Sequence, residues 1–278
     1  EDMTVTHNTA FTLNLAQKAL DDGKGVAIFS LEMPAEELML RMLSSKTSIP
    51  LQSLKVGDLN DQQWTDLTRA TDEMATKKLF VDDDGLLNIN QLRSKLRKLK
   101  SQHPEIAMAV IDYLQLMSGT GGKDRHLEIS DISRGLKLLA RELSIPIIAL
   151  SQLNRGVESR HDKRPMLSDI RESGSIEQDA DVIMFVYRDD IYRVREEKEK
   201  EKRAKAEGKE YKSDFFEKPV EDAEIIIGKN RSGPTGIANV EFQKHFTRFV
   251  DKGLATAEII YESAEIDAKN SSINIPTL

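Results

Sequence analysis

VIDYLQLMSG (residues 110–119) is an apolar run that delivers one acid, Asp112, and then turns polar. IPIIALSQLNR (145–155) repeats the pattern with an amide, Gln152. DIRESGSIEQDADVIMFVYRDD (169–190) places a basic, glycine-bearing segment ahead of a third apolar run. Strands that are apolar throughout belong to sheets covered on both faces. In open α/β sheets, ligands sit beyond the carboxyl ends of the strands. An acid, an amide and a basic loop emerging there can face one nucleotide and one polymer, so the pattern points to a nucleotide-driven motor.

The surrounding sequence supplies the helices of such a sheet. TAFTLNLAQKALDDGKG (9–25) has apolar residues at helical spacing and ends in a D-D-G-K-G breaker. GVAIFSLEM reads as a buried strand, followed by a helix whose first turn holds Pro34. Helices are expected at 60–77 and 88–102, the second capped by Asn88, with the strand KKLFVDDD between them. A long amphipathic helix over 128–145 separates the strands that end near Asp112 and Gln152. Alternating strands and helices mean a parallel sheet, which the run DADVIMFVYRD is expected to join. EDAEIIIGKN, GIANVEFQ and FTRFVD, around the turn R-S-G-P-T-G, are expected to extend that sheet as an antiparallel hairpin.

Composition excludes several classes. With 278 residues and 39% hydrophobic residues, one main domain can bury a core. A net charge of −7 argues against wholesale coating of nucleic acid, yet a few inward basic loops suffice to thread a strand through a pore. There is no cysteine, and the 5 histidines are scattered, so neither a disulfide framework nor a structural zinc site is expected. The absence of a signal-like start and of any apolar run of about 18 residues predicts a cytoplasmic protein without a membrane partner. Residues 193–218 mix charges of both signs as a solvated insertion, and 254–278 read as a loose tail.

Read singly, each chemical residue has two readings. Asp112 suits a carboxylate holding a metal-bound water, or an ordinary strand end. Glu32 suits a base that polarises an attacking water, or an acid favoured at a helix amino terminus. Gln152 suits a phosphate sensor or a polar strand cap. The Arg171–Asp181 loop suits phosphate binding through backbone amides, or a surface turn. Lys229 and Arg231, placed at a hairpin tip, suit insertion into a neighbour's site, or a soluble turn.

Together, FSLEM, VIDYLQLMSG, ISRGLKLLARELSIPIIALSQLNR, DKRPMLSDIRESGSIEQDADVIMFVYRDD and KNRSGPTG resemble the motor domain of the bacterial replicative hexameric helicases, the DnaB family, over roughly residues 9–250. The resemblance implies an α/β fold: a RecA-like P-loop NTPase core, a mostly parallel sheet flanked by helices, and a carboxyl-terminal hairpin extension. It implies a motor domain over 9–253, assembled as a homohexamer that hydrolyses ATP with magnesium and moves 5′ to 3′ on single-stranded DNA during replication. By motif position, Glu32 would be the catalytic base, Asp112 the Walker B acid and Gln152 the sensor. Arg171, Glu172 and Gly174 would contact DNA, and Lys229 and Arg231 would act on the neighbour's ATP. The stretch SGTGGKDR (118–125) would face the pore. Primase and a helicase loader are the implied partners, and the location is the nucleoid.

The family's phosphate-cradling G-x-x-x-x-G-K-[ST] does not occur in this sequence. Thr9 stands where the magnesium-binding hydroxyl would be, preceded by EDMTVTHN (1–8). The sequence His7-Asn8-Thr9 is similar to an intein's downstream junction: Asn8 can cyclise and break the bond to Thr9, His7 can donate a proton, and the Thr9 hydroxyl can accept the upstream segment. On that reading the loop is restored by splicing. The alternatives are a replaced segment or misassigned start, an inactive DNA-binding or subunit-binding fragment, and another RecA-like ATPase of recombinase or circadian-clock type.

Overall fold

The computed structural model describes residues 3–119, 124–171, 173–208, 211, 213, 216 and 218–252, with 3–7, 155 and 173 described by backbone alone. Helix α1 (Met3–Asp21) leads to strand β1 (Gly25–Ser30), whose residues are all buried. Helices α2 (Ala35–Thr47), α3 (Leu51–Val56) and α4 (Asp61–Thr76) follow, then β2 (Leu79–Asp82), α5 (Ile89–Gln102) and β3 (Ile106–Asp112). Helix α6 (Arg125–Leu143) connects to β4 (Ile147–Ala149). These four strands form one parallel sheet in the order β2-β1-β3-β4.

Period-two alternation splits the strand residues between two cores. Val26, Ile28, Met108 and Val110 face Leu13, Ala16 and Leu20 of α1 and Leu38 and Met42 of α2. Ala27, Phe29, Ala109 and Ile111 face Leu92 and Leu96 of α5 and Ile129, Ile132 and Leu139 of α6. Burial on both faces therefore explains the nearly continuous apolar runs of the sequence. Helix starts follow local chemistry: Asn60 and Asn88 each form a reciprocal capping box, with Gln63 and Gln91. Helix α3 was not foreseen, because its single turn and a half is too short to display a period.

Beyond α7 (Ser173–Asp179), β5 (Val182–Tyr187) departs from expectation. It does not join the parallel sheet. It pairs antiparallel with β6 (Val220–Asn230), which pairs with β7 (Gly236–Gln243), and β7 with β8 (Arg248–Asp251), making a separate sheet. The hairpin thus builds its own sheet with β5 and does not extend the parallel one. The reason lies in β6, whose long register offers β5 a ladder from Val182 to Tyr187. Within this sheet a buried ion pair joins Arg188 to Glu221, with Lys244 on the same carboxylate and the Arg188 guanidinium over the Phe242 ring at 4.1 Å.

Helix α1 clamps the two sheets. Ala10 packs with Ala223 and Phe242, Phe11 meets Phe249 edge-on at 5.6 Å between centroids, and Asn14 Oδ1 accepts the Phe249 amide at 2.7 Å. The helix backbone also runs without a break through the Asn8–Thr9 bond, and the Thr12 hydroxyl donates to the Asn8 carbonyl at 2.9 Å. The charged stretch begins as helix α8 (Asp189–Ala206), which carries local pairs such as Lys205 with Glu201 at 2.7 Å. The tail at 254–278 lies outside the described residues. Among those described, no helix is long and apolar enough to cross a membrane.

Ile111 is fully buried in the central strand. Ile111→Ala is expected to lower unfolding free energy by about 2–5 kcal/mol in urea titrations. Val56→Ser, at a side chain 64% exposed, is expected to change it by no more than about 0.5 kcal/mol.

Candidate active site

The register of the parallel ladder decides where the chemistry emerges. Ser30 lies opposite Asp112, and the Leu31 amide donates to the Asp112 carbonyl at 2.7 Å, so β1 and β3 end together. The Ser30 hydroxyl donates to the Met33 carbonyl at 2.6 Å and accepts from the Met33 amide, closing the turn that carries exposed Glu32. Glu32 and Asp112 thereby share one edge of the sheet.

Asp112 is 2% exposed, and its Oδ2 accepts the Thr9 hydroxyl at 2.9 Å. Thr9 and Asp112 are far apart in sequence, and α1 brings them together. Burial pushes the Asp112 carboxyl up to about 6; the Thr9 hydrogen bond pulls it down, the Glu32 carboxylate pushes it further up, and the Arg41 guanidinium opposes that. Its Oδ1 is buried and accepts no hydrogen bond from the described residues. An unsatisfied buried acceptor is costly, and a hard cation or its water would satisfy it. A carboxylate beside a hydroxyl suits magnesium, which takes one or two protein ligands and completes its shell with phosphate oxygens and water. Among the described residues no group of three or more His, Cys, Asp or Glu is placed to hold a metal, so the arrangement fits an ion brought with phosphates.

Gln152 lies just beyond β4. Its Nε2 donates to the Tyr113 hydroxyl at 2.8 Å, and its amide donates to Gln115 Oε1 at 3.1 Å, while Gln115 Nε2 donates to Ser151 Oγ at 2.8 Å. Tyr113 and Gln115, which follow Asp112 in the chain, thus hold the side chain and the backbone of Gln152. Their signal was available, since both follow Asp112 in the same motif. Arg41 was not legible: it is a buried arginine on α2, bonded to Glu37 at 3.0 Å, and helical spacing says nothing of its proximity to Asp112.

The segment after Gln152 is tied to the basic stretch. Leu153 bridges Ile170, the Asn154 amide donates to the Asp169 carbonyl at 2.7 Å, and the Arg171 amide donates to the Gln152 carbonyl at 3.2 Å. Arg171 is exposed. Gly174 belongs to the helical segment α7 and not to an open loop, because Ser173–Asp179 closes helical hydrogen bonds. Glu172 and residues 120–123 of the glycine-rich stretch lie outside the described residues, as does the side chain of His7.

Lys229 does not occupy a hairpin tip. It lies within β6, and its ammonium donates to the carbonyls of Glu177 and, at 2.7 Å, Ala180, where it neutralises the carboxyl end of α7. Arg231 does sit in the turn. Its amide donates to the Asp181 carbonyl at 2.8 Å and its guanidinium lies 3.5 Å from the Asp181 carboxylate, which the Lys137 ammonium holds below the usual range. The structure therefore gathers Thr9, Glu32, Asp112 and Gln152 at the sheet edge, and sets Lys229 and Arg231 about α7 and Asp181.

Residues 5–251 match the family model of the DnaB-like helicase C-terminal domain. The chain is 51% identical over 257 residues to a replicative DNA helicase DnaB of Helicobacter pylori, covering 87% of this chain and 53% of that protein. It is 47% identical over 246 residues to the replicative DNA helicase DnaC of Bacillus subtilis, covering 87% of this chain and 49% of that protein. The chain thus spans about half the length of the curated relatives it matches. A solved ATPase domain is similar with a TM-score of 0.75 at 38% identity, covering 88% of this chain and 81% of that one. A DnaB-like replicative helicase, solved in a study of its interactions with primase, is similar with a TM-score of 0.76 at 38% identity, covering 90% of this chain and 55% of that one.

An acid whose folded pKa is raised binds more protons folded than unfolded, so its contribution to stability is greatest in acid and is lost as pH rises through that interval. For Asp112 the interval runs from about 4 to about 6. In magnesium-free and nucleotide-free buffer, Asp112→Asn is expected to be more stable than the parent by up to about 3 kcal/mol at pH 7.5, with the difference closing below about pH 4. Thermal unfolding of both proteins from pH 3.5 to 8 reads this directly.

Proposed function

The chain belongs to the DnaB-like helicase C-terminal domain family, and from that premise we propose that it is the ATP-hydrolysing motor of a replicative DNA helicase. The observation that carries the reading is the Thr9 hydroxyl on the Asp112 carboxylate at 2.9 Å, with Asp112 Oδ1 buried and unsatisfied at the edge where Glu32 emerges. In the proposed reaction Thr9 and Asp112 hold magnesium with ATP, and the bound ion supplies neutralisation of the phosphate charge. Glu32 accepts the proton of the attacking water. Gln152, held by Tyr113, contacts the terminal phosphate and passes its state along the backbone bond to Arg171. Arg171, Glu172 and Gly174 contact single-stranded DNA through its phosphates, which suits sequence-independent movement.

The finer proposal is a homohexamer moving 5′ to 3′, acting in the cytoplasm at the nucleoid, with primase and a loader as partners. Arg231, at an exposed turn, acts in trans on the neighbour's ATP, with Lys229 bracing that turn through α7. The phosphate-binding loop comes from outside these 278 residues by splicing at Asn8 and Thr9; the chemistry of His7-Asn8-Thr9 supports this reading.

Joining a Gly-Lys phosphate loop directly to Thr9 is expected to confer DNA-stimulated ATPase activity that the parent chain lacks. Glu32→Gln in the joined protein is expected to reduce turnover by about 10²–10⁴-fold. Absence of turnover in the joined protein would favour the inactive fragment. Mass-spectrometric peptide mapping of the source cells is expected to yield a peptide that joins Gly-Lys to Thr9, and finding only His7-Asn8-Thr9 peptides would overturn splicing.

A further inference from the structure

β2 flanks β1 on the side away from β3 and ends at the same edge of the sheet. Phe29 lies opposite Asp82 in the parallel ladder, so Asp83 leaves the sheet level with Ser30, the residue that faces Asp112 from the other side. Three acids in a row, Asp82, Asp83 and Asp84, close this strand and open the turn after it. Their side chains part. The Lys95 ammonium of α5 takes Asp82 at 2.7 Å and Asp84 at 3.4 Å. Asp83 crosses instead to α2, where its Oδ2 accepts the Ala35 amide at 3.0 Å.

That amide needs an acceptor from outside its own helix. Ala35 is the first residue of α2, and the first amides of a helix have no partner within it. The residue that would ordinarily cap them is Pro34, which forms no side-chain cap bond. Asp83 supplies from the neighbouring strand what Pro34 lacks, and a carboxylate there also meets the positive end of the helix dipole. Between Asp83 and β3 lies the turn that carries Glu32. On the β3 side the Leu31 amide donates to the Asp112 carbonyl at 2.7 Å, and Ser30 bonds to Met33 within the turn. Exposed Glu32 therefore sits between two anchors, Leu31 on β3 and Ala35 on the acid that follows β2.

We infer that Asp83 is a positioning residue for Glu32: it pins the start of α2 and so fixes the far end of the turn from which the Glu32 carboxylate meets the water. Small displacements of a reacting group are expensive, a shift of about 1 Å costing on the order of 10²-fold in rate. Asp83 acts through the backbone, and an asparagine oxygen can accept the same amide. This rests on the reading of Glu32 as the base that takes the water's proton.

The test has two parts. In the chain as it stands, residue-resolved amide hydrogen exchange at Ala35 is expected to quicken at least about tenfold in Asp83→Ala and to stay within about threefold of the parent in Asp83→Asn. Asp83 is exposed, so the alanine variant opens no cavity. In the protein joined to a Gly-Lys phosphate loop, Asp83→Ala is expected to lower kcat by about 10–100-fold with the KM for ATP within about threefold, and Asp83→Asn to keep kcat within about threefold of the parent. Added to Glu32→Gln, Asp83→Ala is expected to lower turnover by less than about twofold more, because the two residues act as a unit. Unchanged exchange at Ala35, an alanine variant as fast as the parent, an asparagine variant as slow as the alanine one, or an equal loss with and without Glu32→Gln each overturns the assignment. A Glu32→Gln protein as fast as the parent overturns the reading of Glu32 as the base and this assignment with it, whereas a slow Glu32→Gln beside a fast Asp83→Ala overturns this assignment alone.

Discussion

The parallel ladder that ends with Ser30 opposite Asp112 is the constraint on which the site depends. Both strands are buried on both faces, so a slip of one residue would turn every side chain to the wrong core. With the register pinned, the turn bearing Glu32 and the carboxylate of Asp112 emerge at the same height. Helix α1 then adds Thr9 from the side, held by Leu13, Ala16 and Leu20 against one sheet and by Ala10 and Phe11 against the other. The hydroxyl–carboxylate contact is therefore positioned by apolar packing at a distance from it.

This construction concentrates electrostatic cost where chemistry is expected. Asp112 is held in a buried place, pushed up by desolvation and by Glu32, with one oxygen lacking a donor among the described residues. A fold that stabilised itself alone would have little reason to retain such a group. By contrast, Glu221 is also buried but is satisfied by Arg188 and Lys244, as a structural ion pair should be. The difference between these two buried acids separates a site from a scaffold.

The separation of the two sheets gives the fold its other notable property. β4 has three residues in the ladder, and its outward polar groups face a groove shared with β5. The amide of Arg171 on the Gln152 carbonyl, together with the Leu153–Ile170 bridge, links the segment after β4 to the segment before β5. Gln152 and the basic segment are thus connected through the backbone, while the strands on either side remain without a mutual ladder.

Most of the longer elements were legible in the sequence. Apolar runs, the capping Asn88 and the acids and amide at strand ends identify β1, β3, β4, α4, α5 and α6, because periodicity and caps are local properties of the chain. The placement of Glu32, Asp112 and Gln152 at one sheet edge followed from the same runs. The pairing of β5 was not legible, because a buried apolar strand carries no mark of the neighbour it will choose, and β6 competes for it through a ladder formed across residues distant in sequence. Nor was the role of Lys229, which reads as a basic hairpin residue and caps α7 only once β5 and β6 are paired. Arg41, Tyr113 and Gln115 took their positions around Asp112 and Gln152 through packing between helices and strands. Sequence alone thus determined the longer strands and helices, though not the short α3 and α7, and which polar residues the strands deliver, whereas tertiary structure decided which edges meet and which charges are satisfied, since those depend on contacts between residues that the chain keeps far apart.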